Sequence, residues 1–211
     1  AKKTILLENG IATYDPPKAR LKQSQQVNVN EAWLPLCPIL GIPYYLNRDI
    51  VKIPSASQYQ AVAKRLRNVN FTNQEFEVFV VGTSLYRLGI CTLDEEINIY
   101  FSYIDKLVSN NVRKILWKPH PRMQFQKLAP FKDFHDVTII EDDMPIELFF
   151  SYRQPRAAFS ASIASSAMLS GWIYFGIEPI ILDANLTGLE RFPHIRRIQQ
   201  AITSIQKINP I

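Results

Sequence analysis

The chain has 211 residues, enough for one large domain or one domain with an appendage, and its 47% hydrophobic and 20% charged content is ordinary for a globular protein. Its formal net charge of +5 suits a nucleotide, another polyanion or an acidic membrane surface, although many basic proteins bind none of these. The sequence contains no run of the roughly 18 apolar residues that a membrane span needs, and its two cysteines match no metal or redox spacing. No interleaving of basic and aromatic residues favours a nucleic-acid partner.

The first part of the chain is irregular. It begins with a strand-like segment, residues 4–7, followed by Glu8-Asn9-Gly10. A carboxylate at a strand end, beside a glycine that permits a tight turn, is where a general base can lie, but ordinary turns show the same pattern. Prolines then break any long element. We predict a short helix at residues 58–67 and otherwise a strand, a loop and a linker over residues 1–74.

From about residue 75 the pattern is regular, because short apolar runs alternate with amphipathic stretches, as in βα units around a parallel sheet. The predicted strands are residues 78–81, 114–117, 137–140, 157–159 and 179–182. The predicted helices are residues 93–108, 145–150, 165–172 and 193–205. Thr92 and Glu95 have the spacing of a capping box for the first helix, and Pro145 suits the first turn of the second. The chain is therefore predicted to be α/β, with a Rossmann-like parallel sheet in residues 75–211.

The second predicted strand ends in Lys118-Pro119-His120-Pro121-Arg122. Ligands of open α/β sheets bind at the carboxyl ends of strands, so this string lies where a site is expected. Two cations and an imidazole between prolines make a stiff, electropositive turn, and a histidine can donate a hydrogen bond or a proton to a departing phosphate. The alternative is a proline-rich turn with an exposed histidine, and composition leaves both interpretations open.

Polar residues also follow the next two strands. Ser165-Ser166 begin a predicted helix, where hydroxyl and backbone N–H groups can hold a phosphate, and ordinary N-capping is the alternative. Glu147 lies where a carboxylate can accept both hydroxyls of a ribose, and a solvated acid at a helix start is the alternative. Asp142-Asp143 are contiguous and have no convergent ligands, so no metal site is predicted.

Taken together, these motifs resemble those of the bacterial sialyltransferases of glycosyltransferase family 52 and of the related polysialyltransferase-like families. Those families share an acidic-acidic-Gly motif, a His-Pro motif and a paired Ser/Thr motif in fixed order. Here the three read Glu8-Asn9-Gly10, His120-Pro121 and Ser165-Ser166. The segment 81–89 resembles the family's donor loop at a strand end. Asn9 departs from the pattern, which leaves Glu8 as the only candidate base in the first motif.

The resemblance implies an inverting transfer of sialic acid from CMP-sialic acid to a sugar hydroxyl of a surface glycan, either lipooligosaccharide or capsule. It implies no required metal and no other cofactor. Glu8 would deprotonate the acceptor, and His120 would hydrogen-bond or protonate the departing CMP phosphate. The residues that the resemblance assigns to the CMP donor are Gly82, Thr83, Lys118, Pro121, Glu147, Ser165 and Ser166.

Family members carry a whole Rossmann-like domain before the first motif, whereas this chain begins at the motif. Residues 1–74 are therefore expected to be a remnant of the acceptor-side domain, and residues 75–211 the CMP-binding, carboxy-terminal half of a GT-B-type glycosyltransferase. The expected partners are a nucleotide sugar and a glycan acceptor. The expected location is the cytoplasm, with peripheral contact to the inner membrane, and the oligomeric state is left open, with a homodimer as one option. The alternatives are another GT-B glycosyltransferase using a UDP- or GDP-sugar, and a non-catalytic nucleotide-binding module.

Overall fold

The computed structural model describes residues 5–7, 31–40, 48–65, 76–120, 123, 128, 131, 134–140, 146, 149–150, 159–184 and 186–208. Within them lie two parallel sheets. The smaller sheet has the strands β1 (Ile5–Leu7), β2 (Glu31–Trp33) and β3 (Val51–Lys52), in that order. The larger sheet has the strands β4 (Val78–Val81), β5 (Ile115–Lys118), β6 (Val137–Ile139), β7 (Phe159–Ser162) and β8 (Glu178–Ile181).

The larger sheet is built outward from β4. Its strands lie in the order β6-β5-β4-β7-β8, and every neighbouring pair is parallel. The chain therefore runs from β4 to one edge, returns across β4 and continues to the other edge. Counted from β4 the order is 3-2-1-4-5, which is that of a doubly wound sheet. The predicted α/β class and Rossmann-like parallel sheet are confirmed.

The described helices are α1 (Cys37–Leu40), α2 (Ala56–Arg65), α3 (Leu93–Ser109), α4 (Ser166–Phe175) and α5 (Pro193–Ile208). The predicted capping box begins α3, because Glu95 N–H donates to Thr92 Oγ1 at 3.2 Å and Thr92 N–H donates to Glu95 Oε2 at 2.7 Å. None of the helices in the described part of the chain is both long and apolar enough to cross a bilayer.

Hydrophobic clusters cover both faces of the larger sheet. All four residues of β4 are buried, and their side chains alternate between the two faces. Val78 and Val80 belong to one cluster, which includes Tyr100 and Ile104 of α3. Phe79 and Val81 belong to the other cluster, which includes residues of α4 and α5. A parallel strand covered on both faces reads as a continuous apolar run, which is why the sequence predicted this strand correctly.

The segment before residue 75 is more ordered than the sequence indicated. The first strand was predicted there, and the helix predicted at residues 58–67 is found two residues earlier, as α2. The strands β2 and β3 were not predicted and extend the first strand in parallel, with Leu34 N–H donating to Lys52 O at 2.9 Å. Sequence patterns did not indicate these two strands, since strands of two or three residues are too short to show a periodicity. This segment contacts the larger sheet's layer, because Tyr174 OH of α4 donates to Pro35 O at 2.7 Å. The division of the chain at residue 74 stays a prediction.

Gly176 ends α4 in a left-handed conformation, with φ of 67°. An added Cβ would meet no described atom within 4 Å, so its cost comes from the backbone alone. We expect Gly176→Ala to lower the free energy of unfolding, measured by denaturant titration, by about 1 kcal/mol. Gly176→Asn is the matched control, because asparagine tolerates this conformation better, and equal losses in the two variants would contradict the prediction.

Candidate functional site

The strand order of the larger sheet reverses at β4, whose neighbours are β5 on one side and β7 on the other. Doubly wound sheets bind their ligands in the crevice outside the carboxyl ends of the strands at such a reversal. The structure brings candidate residues from three adjacent strands to this edge. They are Gly82 and Thr83 after β4, Lys118 and His120 at the end of β5, and Ser165 and Ser166 after β7.

Three residues of the predicted site lie outside the described part of the chain. They are Glu8, Pro121 and Glu147. Their assigned roles, as acceptor base and as donor contacts, therefore stay predictions. The same holds for Asp142-Asp143, which the sequence analysis judged unsuited to a metal.

Gly82 brings the end of β4 into backbone contact with the turn after β5. Its N–H donates to Lys118 O at 2.8 Å. A Cβ added to Gly82 would lie 2.5 Å from His120 N and 2.7 Å from Pro119 Cα, closer than real Cβ atoms approach. Only glycine therefore fits here without moving the turn. Contact between Gly82 and the donor stays a prediction, to which the structure adds this packing contact with the backbone of His120.

Lys118 and His120 differ in exposure. Lys118 ends β5 and is 4% exposed, so its charge lies within the protein rather than on its surface. His120 is half-buried, and its carbonyl accepts a hydrogen bond from Met123 N–H at 2.8 Å. A cation and an imidazole at one strand end favour binding of an anionic group.

The paired serines begin α4. Ser165 has extended backbone, with φ of −118°, and its Oγ accepts a hydrogen bond from Ala167 N–H at 3.3 Å. Ser165 therefore caps α4, and Ser166 is the first helical residue. Both serines are half-buried at the positive end of the helix dipole. The N-capping interpretation is thus observed for Ser165, and phosphate binding by the pair stays a prediction.

A buried polar cluster, formed by Thr83, Glu96 and Tyr100, lies beneath the loop after β4. Glu96 of α3 has no exposed surface, and Thr83 is 5% exposed. Thr83 Oγ1 donates to Glu96 Oε1, and Tyr86 N–H donates to Glu96 Oε2 at 3.0 Å. Thr83 Oγ1 also lies 3.0 Å from Tyr100 OH. Contact between Thr83 and the donor stays a prediction, to which the structure adds these inward hydrogen bonds.

Tyr100 links this cluster to both central strands. Its hydroxyl donates to Val81 O at 3.1 Å, at the end of β4, and lies 3.4 Å from Ser162 Oγ, at the end of β7. Burial raises the pKa of Tyr100, so the phenol keeps its proton at neutral pH and serves as a donor. The polar cluster therefore spans the strand reversal.

Neither Glu96 nor Tyr100 was predicted from the sequence to belong to the site. Glu96 is the last of three acidic residues in the first turn of α3, where an acid is usually a solvated partner of the helix dipole. The available signal was its position, because Glu96, Tyr100 and Ile104 recur at four-residue spacing along the buried stripe of the helix. A carboxyl group on that stripe needs partners from another element.

The described residues at this edge offer neither a reactive thiol nor a metal site. Burial, followed by the charges of Glu96 and Glu95, raises the pKa of the nearby Cys91 to about 11, which leaves it a neutral thiol. Among the residues that the structure describes, no three His, Cys, Asp or Glu side chains are grouped to hold a metal ion. The predicted independence from metals stays a prediction. The groups that are present, a cation, an imidazole and hydroxyls at a helix start, suit a phosphate.

Comparison with known proteins gives two findings. A family model described as alpha-2,8-polysialyltransferase (POLYST) matches residues 2–184. Among solved structures, the chain is similar to Thermosulfurimonas dismutans KpsC, a beta Kdo 2,4 transferase, with 19% identity, a TM-score of 0.36 and coverage of 69% of this chain. The chain covers 48% of that protein, about half its length. A comparison with curated protein sequences gives no match.

The contact at Gly82 can be tested without any ligand. We expect Gly82→Ala to displace the turn after β5 and so to shift the imidazole resonances of His120 in NMR spectra, because the new Cβ overlaps the backbone of His120. The chain has three histidines, so a His120→Gln variant assigns the signal. Gly176→Ala is the control, since it adds backbone strain at the end of α4 while its Cβ meets no described atom within 4 Å, and it should leave the His120 resonances unshifted. Unshifted His120 resonances in Gly82→Ala would refute the contact.

Proposed function

The chain belongs to the alpha-2,8-polysialyltransferase family, and on that premise we propose that it transfers sialic acid from CMP-sialic acid to a hydroxyl of a glycan. The observation that carries this proposal is that His120 and the pair Ser165-Ser166 follow the two strands that flank β4, at the reversal of strand order. In the proposed reaction the departing group is a phosphate, and these residue types are suited to hold one. We assign the five-stranded sheet to the donor-binding half of a GT-B-type enzyme.

Stabilising the leaving phosphate is the main task in this reaction. The bond between the sugar and CMP breaks through an oxocarbenium-like state, so negative charge develops on the phosphate. We propose that His120 donates a hydrogen bond or a proton to the phosphate oxygen that leaves the sugar. Ser165, Ser166 and the amino end of α4 bind the other phosphate oxygens. The charge of Lys118, which is 4% exposed, acts with little screening by water.

The acceptor side of the proposal rests on Glu8, which follows β1 directly in the sequence. We propose that its carboxylate takes the proton from the acceptor hydroxyl while that oxygen attacks the anomeric carbon from the face opposite CMP, which inverts the configuration. The family's description favours the 8-hydroxyl of a terminal sialic acid as the attacking group. Glu147 would bind the ribose of CMP.

We further propose that the reaction takes place at the cytoplasmic face of the inner membrane. The net charge of +5 supports this, because cytoplasmic leaflets carry anionic lipids. The acceptor is then a surface glycan during its assembly, either capsule or lipooligosaccharide.

Nucleotide preference tests the donor. Isothermal titration calorimetry of the full-length protein with CMP, UDP and GDP should show tightest binding for CMP. A preference for UDP or GDP would refute the sialyl donor and favour another glycosyltransferase of the same architecture. Binding of CMP without transfer or hydrolysis of CMP-sialic acid would instead identify a non-catalytic nucleotide-binding module.

The role of His120 is tested by turnover. We expect His120→Ala in the full-length protein to lower the rate of transfer from CMP-sialic acid at least about a hundredfold, because the leaving phosphate loses its proton or hydrogen-bond donor. His135→Ala is the matched control, since His135 is exposed in the turn before β6, and should keep the parent rate. Near-normal turnover of His120→Ala would remove His120 from the mechanism.

A further inference from the structure

We propose that Glu96 is a positioning residue for this site, and that its buried carboxyl group holds residues 82–86 in the shape that sets the backbone at His120. The inference deepens the proposed function and rests on it for one of its two readouts, nucleotide binding. Glu96 lies in α3 beneath the loop and acts through Thr83 and Gly82 rather than by touching substrate.

The carboxyl group of Glu96 accepts hydrogen bonds from the loop at two residues. Its Oε1 accepts from Thr83 Oγ1 and its Oε2 accepts from Tyr86 N–H at 3.0 Å. Burying a carboxyl group costs free energy unless its oxygens are hydrogen-bonded, and here both oxygens have partners on one short loop. The loop cannot shift relative to α3 without breaking at least one of these bonds.

The hydrogen bond between Glu96 and Thr83 affects His120 through direct backbone contacts. Gly82 immediately precedes Thr83, its N–H donates to Lys118 O at 2.8 Å, and its Cα is packed against the backbone of Pro119 and His120. Any movement of Thr83 therefore pushes Gly82 into this turn or pulls it away. The position of the His120 backbone therefore depends on its contact with Gly82.

A second branch reaches the serine side of the site. Tyr100 lies one turn after Glu96 on α3, and its hydroxyl contacts Thr83 Oγ1, Val81 O and Ser162 Oγ. Val81 ends β4 and Ser162 ends β7, three residues before the cap of α4 at Ser165. The cluster thereby joins the strand that leads to the loop with the strand that leads to the paired serines.

Stability of α3 alone does not account for a carboxyl group at residue 96. Asp94 and Glu95, its neighbours, are exposed, and Glu95 already makes the capping box with Thr92. Glu96 lies on the same buried face as Ile104, where an apolar side chain would suit the core of the helix. The polar requirement at this position comes from the loop after β4.

Three substitutions separate the loss of hydrogen bonds to the loop from a change in the packing of α3. Glu96→Leu suits the core and removes both bonds to the loop. Thr83→Val keeps the shape of Thr83 and removes only its hydroxyl. Glu96→Gln can keep both contacts, because the amide oxygen can accept from Tyr86 N–H while the amide nitrogen donates to Thr83 Oγ1, whose own proton then turns to Tyr100 OH.

The experiment uses the full-length protein with two readouts, the calorimetric dissociation constant for CMP and the imidazole resonances of His120. We expect Glu96→Leu and Thr83→Val to raise the dissociation constant at least about tenfold and to shift the resonances, whereas Glu96→Gln stays within about threefold of the parent. Tyr103→Phe is the control, because Tyr103 is a half-buried tyrosine of the same helix outside the cluster, and should match the parent in both readouts.

The outcomes distinguish this inference from the proposed function. A parent protein that binds no CMP would refute the donor assignment, and the His120 resonances would still report whether Glu96 positions the turn. A parent that binds CMP, with Glu96→Leu and Thr83→Val equal to it in both readouts, would overturn the inference. So would a Glu96→Gln variant as impaired as Glu96→Leu. If Glu96→Leu does not fold, the His120 resonances of Thr83→Val, recorded without CMP, decide the question, because a lost contact between Thr83 and the donor would not shift them.

Discussion

The candidate site depends on the pairing of β4 with β5 on one side and with β7 on the other. Because all three strands are parallel and in register, their carboxyl ends reach the same edge of the sheet. Residues that are 83 positions apart in the chain, such as Gly82 and Ser165, are thereby brought to neighbouring strand ends. Loops alone could not hold such distant residues together, since ordering a long loop costs conformational entropy. In the sheet, strand pairing and core packing already offset the cost of ordering these strand ends.

The hydrogen bonds of the polar cluster under this edge offset the free-energy cost of burying its polar groups. A carboxyl group and a phenol without exposed surface would destabilise the fold if their hydrogen-bonding groups lacked partners. Glu96 and Tyr100 find theirs at Thr83, Tyr86 and the strand end at Val81. The same bonds that offset the cost of burial also fix where the loop lies. Stability and the geometry of the site are therefore coupled through one set of contacts.

Most of the larger sheet could be predicted from local patterns. The strand at residues 78–81 and the start of α3 were correct to the residue, because a continuous apolar run and a capping box are short-range signals. The strands β2 and β3 were not predicted, since three and two residues show no periodicity and their order comes from pairing with β1. The family resemblance seen in the sequence agrees with the family model, which matches residues 2–184.

The sequence by itself determined the α/β class, the ends of the larger sheet's strands to within three residues, and the residue types found there, including Lys118, His120 and the paired serines. Tertiary structure decided that Thr83 turns inward to Glu96 and that Gly82 lies against the backbone of His120. The physical reason is distance along the chain. Apolar periodicity and capping act within a few residues, whereas these contacts exist only where α3 packs against β4 and where β5 pairs with it.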